Sequence, residues 1–143
     1  MILVVDDDDA YQWLLPRLFD KAKSSVSLQF VFDGEQAIEY LNGSGKFSDR
    51  TQFPFPKMIL LDLKMPRVDG FAFLEWKRNQ PLISHIPVVV WSSSDLQSDK
   101  DKSAELGAVD YIEKPIFGHG LIETIERIYN RLEEARARAK LSN

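Results

Sequence analysis

The sequence predicts an α/β fold, a doubly wound five-stranded parallel sheet with five helices covering both faces. Three observations predict it. First, the runs Ile2–Val5, Met58–Leu61 and Pro87–Trp91 are apolar without interruption. A run with no polar alternation reads as a strand buried on both faces. Second, apolar residues recur at helical spacing between the strand-like runs, and such alternation implies parallel pairing through right-handed crossovers. Third, the runs stop at polar residues: Asp6–Asp9, Asp62 and Ser92–Asp95. In open sheets of this kind, ligands and chemistry gather at the carboxyl ends of the strands.

The elements follow in order. Ile2–Val5 is the first strand, and Asp8 or Asp9 caps the helix after it. Tyr11, Leu14, Leu15, Leu18, Phe19 and Ala22 share one face of that helix. Pro16 falls inside it and is expected to bend it. Val26 to Phe32 reads as the second strand. Asp33-Gly34-Glu35-Gln36 then forms a capping box for a helix that buries Ala37, Ile38 and Leu41 and ends at Asn42-Gly43. Residues 46–57 contain Phe53-Pro54-Phe55-Pro56 and are too rich in proline for regular structure. Met58–Leu61 is the central strand, which Pro66 cannot prolong, so Asp62 is held at its end. Val68-Asp69-Gly70 opens a third helix with Phe71, Phe73 and Leu74 toward the core. Pro87–Trp91 is the fourth strand. A polar helix over about 97–106 follows, ended by Gly107, and Val109–Glu113 is the fifth strand. The last helix spans about 119–140 with a stripe of Leu121, Ile122, Ile125, Ile128, Tyr129 and Leu132 that fades beyond Leu132.

Composition narrows the function. A chain of 143 residues suits one domain with a sizeable core. A net charge of −4 and the lack of a basic stripe argue against nucleic acid as a partner. No apolar run is long enough to cross a bilayer and no signal-peptide pattern opens the chain, so no membrane partner is expected and the location expected is cytoplasmic. Without cysteine there is no disulfide and no thiol chemistry. His85 and His119 match no metal-ligand spacing.

The strand ends carry the chemistry. In a parallel sheet Asp6 and Asp7, Asp62, Ser92 and Lys114 arrive at one rim. Each alone is ordinary: Ser92 as a turn hydroxyl, Lys114 as a surface lysine, Asp6–Asp9 as a solvated cluster. Together they make a converging set. Neighbouring carboxylates raise one another's pKa values unless a cation neutralises them, and Mg²⁺ suits one or two carboxylates with phosphate oxygens. One carboxylate can then attack phosphorus, while an ammonium and a hydroxyl stabilise the equatorial oxygens.

Asp6-Asp7 after a buried strand, Asp62 within Leu61-Asp62-Leu63-Lys64-Met65-Pro66, Asp69-Gly70, Ser92, Tyr111 and Lys114-Pro115 resemble the receiver domain of two-component response regulators. The resemblance covers residues 1–132 and leaves 133–143 as a helix extension and tail, with no output domain expected. It implies a flavodoxin-like sheet of strand order 2-1-3-4-5. It also implies that Asp62 accepts a phosphoryl group from a sensor histidine kinase or a phosphotransfer protein. Asp7, Asp62 and the backbone carbonyl of Lys64 would bind Mg²⁺, with Asp6 assisting through water. Ser92 and Lys114 would contact the phosphoryl oxygens, Tyr111 would turn inward when Ser92 moves, and the Lys114–Pro115 peptide would be cis. The signal would leave through the fourth helix, fifth strand and fifth helix, to a downstream protein or a homodimer. The long 42–57 loop is similar to that of single-domain regulators that partner bacterial phytochromes. Lys64, two residues after Asp62, is expected to affect the lifetime of the phosphorylated state. Two other readings remain at this stage. A Mg²⁺-dependent phosphatase of the haloacid dehalogenase type needs a second acid where Lys64 stands. A receiver-like scaffold that works without phosphorylation has no need of the acids.

Overall fold

The computed structural model describes residues 1–114 and 119–142. The strands are β1 (Ile2–Val5), β2 (Leu28–Val31), β3 (Met58–Leu61), β4 (Val88–Ser92) and β5 (Asp110–Glu113). The helices are α1 (Asp9–Lys21), α2 (Gly34–Asn42), α3 (Gly70–Arg78), α4 (Gln97–Glu105) and α5 (His119–Leu141). All strands are parallel in the order β2-β1-β3-β4-β5. The doubly wound parallel sheet is as the apolar runs predict, and its flavodoxin-like strand order is as the resemblance implies.

Alternation along the central strands sorts the core into two layers. Leu3, Val5, Ile59 and Leu61 pack with Ala37, Leu41, Phe73 and Leu74 beneath α2 and α3. Ile2, Val4, Met58 and Leu60 pack with Leu15, Phe19, Leu121 and Ile125 beneath α1 and α5. Truncating one of these buried leucines to alanine costs about 2–5 kcal/mol.

Local chemistry sets where the helices start. Asp8, Asp33 and Asp69 cap α1, α2 and α3 by accepting the N–H groups of Ala10, Gln36 and Ala72. Gln36 reaches back to the N–H of Phe32, one residue before the cap. Gly43 ends α2 at φ 66°, in the left-handed region that glycine enters without strain. Gly70 answers to close approach instead. A Cβ there would lie 2.6 Å from the Asp62 carbonyl oxygen and 2.7 Å from Leu63 Cα.

Some expectations need adjustment. β2 is shorter than Val26–Phe32 because it is an edge strand paired only with β1. α1 contains Pro16, as expected, and ends at Lys21. The Arg17 side chain donates to the Trp13 carbonyl within it. Residues 45–47 form a 3-10 turn inside the segment read as irregular. Ala22 is exposed at the end of α1, and Phe71 is half-buried beneath the Lys102 ammonium rather than in the core. The Lys114–Pro115 peptide lies outside the described residues.

Candidate functional site

Parallel register brings the acids together. Val5 of β1 lies beside Leu61 of β3, so Asp6 and Asp62 follow side by side, and the Asp62 N–H donates to the Val5 carbonyl at 2.9 Å. β5 delivers Lys114 from the other side, its N–H bonded to the Ser92 carbonyl at 2.7 Å. Asp6 and Asp62 are buried and Asp7 is exposed. Carboxylate oxygens of Asp6, Asp7 and Asp62 lie within 4.8 Å of one another.

The Lys114 ammonium donates to Asp6 Oδ2 at 2.6 Å and stands 3.8 Å from Asp62 Oδ2. It is therefore the counter-charge of the buried pair in this state. The Lys64 backbone N–H approaches Asp62 Oδ1 at 3.4 Å, and the Asp8 N–H donates to Asp6 Oδ1 at 2.9 Å. Burial pushes the Asp62 carboxyl up to about 6. Lys114 opposes the shift, Asp6 adds to it, the Lys64 N–H opposes it, and Asp7 adds to it. The rise is first a cost of burial, to which the neighbouring acids add and which one lysine does not cancel. An all-oxygen donor set of this kind fits a hard divalent cation.

Asp7, Asp62, Lys64 and Lys114 line a cleft of about 300 Å³, together with Asp8, Tyr11 and Ser93. Ser92 is fully buried at the end of β4, and its hydroxyl accepts the Ser94 N–H at 3.2 Å. The serine that lines the cleft is its neighbour Ser93. Tyr111 is half-buried and donates its hydroxyl to the Ser94 carbonyl at 2.8 Å, tying β5 to the loop before α4. Sequence reasoning missed the cleft roles of Tyr11 and Ser93. Its helical spacing places Tyr11 on the core face of α1, although its position in the first turn after the acids is a signal.

A doubly wound α/β domain with three clustered acids and a lysine at the carboxyl rim defines a class of proteins, and the chain's relatives agree with it. Residues 2–126 match the response regulator receiver domain, and the chain belongs to that family. It is thus a phosphoacceptor signalling module rather than a conventional enzyme. The response regulator protein GraR of Staphylococcus aureus is 32% identical over 139 residues, 97% of this chain and 55% of that protein. The chain spans about half the length of the curated relatives it matches. Among solved structures, the response regulator RPA3017 in red light signaling of R. palustris superposes with a TM-score of 0.81 at 33% identity, covering 90% of each chain. The bacteriophytochrome response regulator RtBRR gives 0.74 at 38% identity, covering 87% of this chain and 75% of that one. A Mn²⁺-bound form of the response regulator Rcp1 gives 0.68 at 26%, covering 93% and 88%. No helix among the described residues is long and apolar enough to cross a membrane.

Proposed function

We propose that the chain is a phosphorylation-dependent switch in which Asp62 accepts a phosphoryl group from a sensor histidine kinase or a phosphotransfer protein. The observation that carries this reading is the meeting of Asp6, Asp7, Asp62 and Lys114 at one rim of the sheet. An Asp62 carboxylate oxygen forms the new bond to phosphorus as the bond to the donor's imidazole nitrogen breaks. The electron pair stays on that nitrogen.

Asp6, Asp7 and Asp62, with the carbonyl of Lys64, would hold Mg²⁺, which supplies positive charge against the acids and the transferring oxygens. Lys114 stands close enough to turn from Asp6 toward the phosphoryl group. Ser92 gives its hydroxyl to the same group once it leaves its bond to Ser94. That movement loosens the Ser94–Tyr111 contact and reaches α4, β5 and α5. α4 is the easiest of these to shift: Ser103 is its one buried residue and no side chain caps its start. The output is a downstream protein or a second copy of the chain. The red-light and bacteriophytochrome regulators it resembles support a phytochrome-type kinase as the donor.

The test is incubation with Mg²⁺ and a small acyl-phosphate donor. One phosphoryl mass gained by the wild type and not by Asp62→Asn is the expected result. Continuous turnover of varied phosphate esters would favour the phosphatase reading, and no adduct would favour the scaffold. Lys64 is exposed beside the cleft, and Lys64→Ala should change the rate of dephosphorylation; equal rates remove that role.

A further inference from the structure

The ammonium of Lys114 touches more than carboxylates. Its Nζ lies 4.4 Å from the centroid of the Tyr11 ring and 5.5 Å from that of Trp91. The two rings meet edge to face, with centroids 5.4 Å apart and planes at 86°. Tyr11 comes from the first turn of α1 and Trp91 from β4, so two separate elements converge on one cation. Trp91 is fully buried, and its indole N–H has no hydrogen-bond partner among the described residues. What it offers the site is its ring, not its donor.

We propose that Tyr11 and Trp91 form an aromatic wall along which Lys114 moves from Asp6 to the phosphoryl group on Asp62, making Tyr11 a positioning residue for phosphoryl transfer. The inference rests on the proposed phosphoacceptor role of Asp62. In the resting state Lys114 leans toward Asp6, at 2.6 Å against 3.8 Å for Asp62. To meet a new anion on Asp62 it must leave a strong, directional contact. An aromatic face attracts a cation from anywhere within about 6 Å of its centroid, and more strongly where water is excluded. Tyr11 can therefore keep its attraction throughout the movement, while hydrogen bonds to Asp6 are lost and those to the phosphoryl oxygens form. The same ring walls one side of the cleft, which limits the other directions the four-carbon stem could take. Tyr11 is only half-buried, so its size is not dictated by the core as that of Trp91 is.

The experiment compares wild type, Tyr11→Phe and Tyr11→Leu, each checked for cooperative unfolding. In the wild type, the Lys114 side-chain methylene protons next to Nζ should resonate upfield of ordinary lysine, because they lie over ring faces. That displacement should persist in Tyr11→Phe and shrink in Tyr11→Leu. With a small acyl-phosphate donor, Tyr11→Leu should form the Asp62 adduct about tenfold more slowly at unchanged Mg²⁺ affinity, and Tyr11→Phe should stay within about twofold of wild type. Equal rates in all three proteins, or ordinary lysine shifts in the wild type, overturn the inference and leave the phosphoacceptor reading standing. Failure of the wild type to form any adduct overturns both.

Discussion

Two of the cations the fold holds, Arg50 and Lys114, are treated in opposite ways. Arg50, in the segment between α2 and β3, donates to the carbonyls of Tyr40, Leu41 and Phe53 at 2.7–3.2 Å and stacks on Phe55. Around it Tyr40, Phe47 and Phe53 pack at ring distances of 5.1–6.0 Å. These partners are neutral, several and geometrically fixed, so nothing is gained by moving. Lys114 faces two carboxylates at unequal distances and two aromatic faces. Its two carboxylate partners follow adjacent strands side by side and can change in charge. A structural cation is recognised by neutral acceptors that fill its donor geometry, and a functional one by anions it can exchange.

The sharpest way to break this contrast is to remove each cation. Lys114→Met should slow adduct formation at Asp62 by about a hundredfold or more, the scale of losing one preorganised donor to developing negative charge. It should also drive the Asp62 carboxyl further up, since Lys114 holds it down; carboxyl-carbon NMR reads that change. Arg50→Ala should do the reverse. The loss of three contacts to carbonyls lowers stability by about 2–3 kcal/mol in urea unfolding, with the rate of adduct formation unchanged. If Arg50→Ala slows phosphorylation while stability holds, the two cations are not different in kind.

A smaller effect concerns pH. The Asp62 carboxyl sits at about 6 in the fold, above its ordinary value of 3.8. Between these values the folded chain keeps a proton that the unfolded chain has released. Stability from this group is therefore fully present below about pH 4 and is lost as pH rises through about 6. Asp62→Asn should be more stable than wild type by on the order of 2 kcal/mol at pH 8 in the absence of Mg²⁺, with the gap closing toward pH 4. Thermal unfolding across that range checks the sign. Smallest of all, Arg67→Ala removes an exposed pair with Glu35 at 3.1 Å and should change stability by less than about 0.5 kcal/mol. A larger loss in denaturant titration would mean that this surface pair is more tightly held than its exposure indicates.

The two regions also differ in how far the sequence disclosed them. The rim was legible because β1, β3 and β4 announce themselves as runs of apolar residues and the clustered acids follow two of these runs. Parallel register then does the rest, without any long-range information. Asp33 as a cap was legible for a simpler reason, since its partner Gln36 lies three residues on. The Arg50 cage was not: its acceptors are backbone carbonyls, which carry no residue signature, and its rings are spread over residues 40–55. Lys77 shows the same limit. It is buried on α3, gives its ammonium to the Ser84 carbonyl at 3.1 Å, and burial pulls it down to about 8, yet a lysine in a helix reads as a solvated charge. Tyr11 and Trp91 looked like core residues because periodicity reports which face a side chain occupies, not what lies at the far end of that face.

Gly70 ties the last of these threads to the acid. Its N–H donates to the Leu63 carbonyl at 3.0 Å, and there is no room for even one methyl group against the backbone of Asp62 and Leu63. The mutational tolerance of the proposed phosphoacceptor, Asp62, is thus bounded from outside the cleft. In a randomised library, alanine at position 70 should disappear alongside changes at Asp62 itself, though residue 70 does not line the cleft.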